Sequence, residues 1–214
     1  MDVLLGTTNP AKVGRFAEFL PGRGIRFLTL ADISVTGEPE EVGGSPEENA
    51  RIKAAFYGKY CDRVICNDSG LYFEELPLDD PRQPGLNIRT PQGRRLDDEE
   101  MIAYYSQLIR ELGGKVLAYY LDGIAVCREG EILSFLDERG KAAAFYMVDT
   151  PSVKRHPGWP LDSLSLNRNT MTYFTDHGNN IYDDVQEQIM VGKYRRRVIA
   201  FLEQALGLPE EGAE

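Results

Sequence analysis

A chain of 214 residues with net charge −10, 42% apolar and 27% charged, has the composition of an ordinary folded domain. That excludes collagen, coiled coil and intrinsic disorder, and no apolar run approaches the roughly 20 residues that span a bilayer. The acidic balance repels nucleic-acid backbone and anionic membrane, so an anionic substrate needs locally concentrated cations or a divalent metal. Met1 to Gly6 lacks the basic start and long apolar stretch of a signal peptide, and a cytoplasmic location is expected. Cys61, Cys66 and Cys127 form no C-x-x-C and are expected as thiols in a reducing compartment; His156 and His177 share no metal-ligand spacing with them.

In chain order, Val3-Leu4-Leu5 reads as a short buried strand that turns at Gly6-Thr7-Thr8. Asn9 followed by Pro10 opens a helix whose apolar face is Val13, Phe16, Ala17 and Leu20. A second strand is expected over 25–30, then a polar, acidic loop over 36–48. Ser45-Pro46-Glu47-Glu48 is a capping-box helix start, with the helix expected to reach about Tyr60. Val64-Ile65-Cys66 reads as a strand ended by Asn67-Asp68-Ser69-Gly70, and 77–95 as loop. Leu96-Asp97-Asp98 opens a helix that carries Met101, Tyr105, Leu108 and Leu112 on one side. Lys115–Cys127 and Glu131–Met147 read as two long strands joined at Glu129-Gly130, 149–180 as irregular, and a last amphipathic helix follows Gly192. The order predicts one α/β domain over 1–214, a mixed, elongated sheet flanked by helices in two lobes around a central cleft, with a frayed tail over 209–214.

Chemistry concentrates at a few places. Thr7-Thr8-Asn9-Pro10-Ala11-Lys12 runs a strand straight into a helix, whose free first amides, with two hydroxyls and an ammonium nearby, suit a phosphate. Asp68 at a strand end can hold magnesium or orient a water. Asn49 and Lys53, four apart, share a helix face, and the acidic loop before them offers a further carboxylate. Lys193-Tyr194-Arg195-Arg196-Arg197 is the densest basic cluster: at a helix start it calls for a polyanionic ligand, whereas in a helix reaching back towards Asp184 it is a solvated face. Trp159 lies in a loop, where it either stacks on a base or anchors the core.

In order and spacing these segments resemble the inosine triphosphate pyrophosphatase family, enzymes that hydrolyse non-canonical purine nucleoside triphosphates. Thr7 to Lys12 matches its [ST]-x-N-x-x-K motif, and Glu48-Asn49-Ala50-Arg51-Ile52-Lys53-Ala54 its E-N-A-x-x-K-A helix. Asn67-Asp68-Ser69-Gly70-Leu71 is similar to its D-D-S-G-L strand end, with asparagine for the first acid, and Pro84 to Arg89 to its P-G-x-x-x-R segment. Further on, Gly158-Trp159-Pro160-Leu161-Asp162 resembles the base-flanking loop with its acid displaced, and Lys193-Tyr194-Arg195 stands where the family has S-H-R.

The resemblance implies magnesium-dependent hydrolysis between the α- and β-phosphates, giving a nucleoside monophosphate and pyrophosphate. It implies Glu41 and Asp68 as metal ligands, Asp68 also as general base, and Lys12 and Lys53 as phosphate clamps. Thr7, Thr8, Asn9, Asn49, Ser69 and Gly70 would line the substrate, with Trp159 and Arg195 at the base. A homodimer is implied as well. Two alternatives stay open: the same reaction on another base, and a nucleotide-binding protein that has lost catalysis.

Overall fold

The structure, a computed structural model, describes residues 1–136, 143–176 and 185–208; the tail over 209–214 and His177 lie outside the described residues. Two compact units are built from interleaved stretches: Met1–Ser69, Asp122–Asp137 and Gly192–Glu214 form the first, and Gly70–Leu121 and Glu138–Val191 the second.

In the first unit the chain begins with strand β1 (Asp2–Leu5), helix α1 (Pro10–Phe19), strand β2 (Arg26–Leu28), helix α2 (Pro46–Tyr57) and strand β3 (Arg63–Phe73). β1 pairs in parallel with β2 on one side and with β3 on the other. A strand between two parallel neighbours is covered on both faces, so Val3, Leu4 and Leu5 are all buried. Successive side chains of a strand point to opposite faces, and the core divides accordingly. Val3, Leu5 and Ile65 pack with Phe16 and Phe19 of α1 and with Val198 and Leu202 of the last helix. Leu4, Val64 and Cys66 pack with Ala50, Ala54 and Tyr57 of α2.

Strand β4 (Lys115–Arg128) lies beside β3 in the sheet order, and its Gly123–Arg128 stretch pairs antiparallel with β5 (Glu131–Leu136). The connecting residues Glu129 and Gly130 have φ of 53° and 88°, the left-handed pair that a two-residue hairpin turn demands. Gly123 sits in close contact with α2: a Cβ there would lie 2.3 Å from both the Pro46 carbonyl carbon and the Glu47 nitrogen, backbone atoms of the first turn of α2. That turn is capped by Ser45, whose hydroxyl accepts from Glu48 N at 3.1 Å. Ser45→Ala should cost about 1 kcal/mol, read as a lower midpoint in urea unfolding.

In the second unit, helix α3 (Asp98–Glu111) starts at a reciprocal capping box between Asp97 and Glu100. It buries Met101, Tyr105 and Ile109 against Phe73, Val116 and Met147. β6 (Phe145–Val148) pairs antiparallel with Lys115–Ala118 of β4, and β7 (Ser165–Leu166) pairs with β6. Gln83 staples the loop after β3, accepting from Phe73 N at 2.7 Å and donating to Phe73 O at 3.0 Å.

Four expectations are corrected. β3 does not stop at Cys66; pairing with β4 carries it through the turn-prone Asn67-Asp68-Ser69-Gly70, because sheet context outweighs local propensity. Glu131–Met147 is two strands, β5 and β6, which pair with different parts of β4. The region 149–180 holds β7 and two short 3-10 helices, Pro160–Ser163 and Phe174–Asp176. Helix α4 spans Val185–Leu206, so Lys193 to Arg197 lie well inside it rather than at its start, and the dipole argument for a polyanion there falls away. The fold is thus a mixed sheet flanked by helices, as expected. Among the described residues no helix is long and apolar enough to cross a membrane.

Candidate active site

The site assembles where β1 ends and its parallel neighbour β3 continues. Gly6 N still donates to Ile65 O at 2.9 Å; the chain then turns, with Thr7 N donating to Leu5 O at 2.8 Å. Asn9 N donates to the Thr7 hydroxyl at 3.1 Å, and the Asn9 carbonyl accepts from Lys12 N and Val13 N as α1 begins at Pro10. Thr8 is exposed beside this turn. Beyond Leu5, therefore, β3 has no β1 backbone beside it, and the space is bordered by the first turn of α1.

From the opposite layer α2 presents Asn49 and Lys53, one turn apart. Asn49 Nδ2 donates to Asp68 Oδ2 at 3.0 Å, and Lys53 Nζ donates to Asp68 Oδ1 at 3.2 Å. The same ammonium lies 2.7 Å from Glu41 Oε2. The acidic loop reaches this point because α2 holds it: Gly43 N donates to Asn49 Oδ1 at 2.8 Å and Gly44 N to Glu48 Oε2 at 2.7 Å. Burial works against the charge on Lys53, but Asp68 and Glu41 outweigh it and hold its pKa above the usual lysine value. Lys12 shows the opposite balance. Burial first, then Lys53, push its pKa below the usual value, while Asp68 and Asp122 pull it up. Lys12 thus belongs to the same electrostatic neighbourhood as Lys53 and Asp68.

On the other face of β3, the Ser69 hydroxyl donates to Asp122 Oδ1 at 2.7 Å. Asp122 Oδ2 accepts from Arg15 at 3.2 Å and from the Tyr194 hydroxyl at 3.4 Å, and Arg15 also donates to Tyr194 Oη at 2.8 Å. Burial pushes Asp122 up, but Arg15, the Ser69 bond and Lys12 hold it below the usual carboxylate range. Sequence reasoning missed Arg15, Asp122 and Tyr194 as a group. The available signal was a lone acid in the otherwise apolar run Leu117 to Cys127.

Lys53, Asn49, Glu41 and Asp68 are therefore brought into contact, with Lys12 within electrostatic range and Ser69 on the reverse face of the same strand. Arg195, on α4, is engaged elsewhere: it donates to Glu18 O at 2.6 Å and stacks its guanidinium over Phe19, in the last turn of α1. Gly70 and Trp159 belong to the second unit. There Trp159 O accepts from Asp162 N at 3.1 Å, and the Asp162 carboxylate is engaged at 2.9 Å with His156 Nδ1.

Among the described residues no group of three or more His, Cys, Asp or Glu side chains forms a metal cluster. Two carboxylates do converge, those of Glu41 and Asp68, on the single cation of Lys53. One or two carboxylates completed by phosphate oxygens and water is the usual donor set for magnesium, so these residues fit that ion. In addition, Asn67 Oδ1 is buried without a hydrogen-bond partner.

The Ham1 family model matches residues 3–141, and the chain belongs to that family. A dITP/XTP pyrophosphatase of Bacillus subtilis is 36% identical over 114 residues, covering 53% of this chain and 54% of the relative, so the match spans about half the relative's length. The dITP/XTP pyrophosphatase of Thermoanaerobacter pseudethanolicus is 33% identical over 139 residues, 62% of this chain and 67% of the relative. A HAM1 protein structure from Coxiella burnetii superposes with a TM-score of 0.68 at 20% identity, covering 96% of this chain and 100% of that one, which establishes the shared fold. The family match ends before the segments that hold Trp159 and Arg195.

Proposed function

We propose that this protein is a magnesium-dependent nucleoside triphosphate pyrophosphatase that cuts non-canonical purine nucleotides such as dITP, ITP and XTP into the monophosphate and pyrophosphate. The observation that carries this reading is the convergence of Glu41, Lys53 and Asp68, with Asn49 of the same helix bonded to Asp68. The names of the relatives support the substrate class.

Glu41 and Asp68 would hold magnesium, which when bound neutralises phosphate charge and polarises the scissile phosphoryl group. The amides of the first turn of α1, with Thr7, Thr8 and Asn9, bind phosphate oxygens, and Lys12 adds a cation whose charge burial alone disfavours and an anion restores. Lys53 stabilises charge that develops on the departing pyrophosphate. Asp68, aimed by Asn49 and Lys53, takes the proton of the attacking water. Ser69, Gly70, Trp159 and Arg195 are proposed substrate contacts on the resemblance alone.

The test is pyrophosphate release from dITP, ITP and XTP against the four ordinary deoxynucleotides, with magnesium and with EDTA. Turnover of the non-canonical set that EDTA abolishes is the expected result; no release from any triphosphate overturns the proposal. One observation favours a second reading, the same reaction on a different base: Tyr194, at the family's histidine position, is bonded to Arg15 and Asp122. A panel preference for a pyrimidine selects it. We place the protein in the cytoplasm as a homodimer, without nucleic-acid or membrane partners. The resemblance and the net charge of −10 support this, and sedimentation checks the dimer.

A further inference from the structure

We infer that Asp122 is a positioning residue of this site: bonded at once to Arg15 of α1 and Ser69 of β3, it fixes the helix that carries Lys12 against the strand that carries Asp68. The inference rests on the phosphate-binding role proposed above for that pair.

A buried carboxylate is costly unless its oxygens are bonded. Here both are used. Oδ1 accepts from Ser69, and Oδ2 from Arg15 and Tyr194. Arg15 follows Lys12 by three residues, so the two share one side of α1, and a bond that fixes the rotation of Arg15 about the helix axis fixes Lys12 as well. Ser69 directly follows Asp68 in an extended strand, so holding the hydroxyl on one face sets the direction of the carboxylate on the other. Tyr194 closes the cluster from α4 and stacks against the Arg15 guanidinium, 5.6 Å from ring centroid to Cζ.

The decisive experiment measures binding of inorganic tripolyphosphate with magnesium to the full chain by calorimetry. Coulomb's law alone predicts that Asp122→Asn tightens this binding, because a negative charge leaves the neighbourhood of Lys12. Positioning predicts the reverse, a loss of roughly tenfold, typical of residues that orient a ligand-holding group. Weaker binding by the folded variant supports the inference; equal or tighter binding overturns it.

If Asp122→Asn fails to fold by circular dichroism, two other variants carry the test. Ser69→Ala breaks the strand bond, and Arg15→Met/Asp122→Asn removes both charges together while leaving Ser69, itself a proposed substrate contact, in place. Weaker binding by both supports the inference, and unchanged binding by both overturns it. Nucleotide turnover is assayed separately. Wild-type protein that binds tripolyphosphate but releases no pyrophosphate from any nucleotide fails the proposed function, while the affinities still decide the role of Asp122. Wild-type protein that binds no tripolyphosphate overturns both.

Discussion

Asp68→Asn should lower the turnover number for dITP by about a hundredfold or more, the range for one general acid–base group. The two side chains have nearly the same shape, so the fold is retained. The amide cannot take a proton from water. It also cannot accept from both Asn49 Nδ2 and Lys53 Nζ as the two carboxylate oxygens now do, so one of those donors faces an NH2 group. Lys53 is left with Glu41 as its ion-pair partner, and its repulsion of Lys12 is less compensated. Turnover should collapse while the fold is kept, a loss that steady-state kinetics reads directly. A turnover number close to wild type would remove Asp68 from the chemistry.

The largest structural effect is expected at Gly123, away from any reacting atom. In Gly123→Ala the new methyl would stand 2.3 Å from the Pro46 carbonyl carbon and the Glu47 nitrogen and 2.5 Å from the Pro46 oxygen. These are main-chain atoms of a capped helix start, and no rotamer change relieves them. The start of α2 must shift, at a cost of about 3 kcal/mol from overpacking. For a chain of this size that lowers Tm by roughly 6–12 °C. Because α2 also carries Asn49 and Lys53, activity should fall with stability. Gly14→Ala is the internal control. It lies in α1 with nothing within 4 Å of its would-be Cβ, so it should be neutral or stabilise by up to about 1 kcal/mol. Calorimetry should therefore give a lower Tm for Gly123→Ala and an unchanged or higher one for Gly14→Ala, and a wild-type Tm for Gly123→Ala would refute the tight approach.

Much of this was legible in the residues because the signals are local. Asn9-Pro10 marks the start of α1, Ser45-Pro46 that of α2, and Leu96-Asp97-Asp98 that of α3, each within four residues. Lys53 and Asn49 could be placed on one helix face by spacing alone. What escaped was non-local. Arg15 and Asp122 are 107 residues apart and Ser69 and Asp122 are 53 apart, so only the pairing of β3 with β4 joins them. The Asn-Asp-Ser-Gly stretch carries strong turn propensity, and nothing beside it in sequence announces that a neighbouring strand will keep it extended. The basic run 193–197 could be read two ways for a related reason: Gly192 reads as a helix boundary, yet α4 passes through it, as the reading of a helix reaching back towards Asp184 allowed.

The unbroken course of β3 has a consequence for how this chain can vary. Since neighbouring positions in an extended segment face opposite layers, Asp68 and Ser69 serve their separate partners only while the count of residues from Val64 onward stays fixed. Deleting one residue between Ile65 and Asp68 would swing the acid towards Arg15 and the hydroxyl towards Lys53, trading two complementary surroundings for two mismatched ones. Spacing in that stretch is thus under as much constraint as side-chain identity, and length variants are best tolerated in the loops outside it.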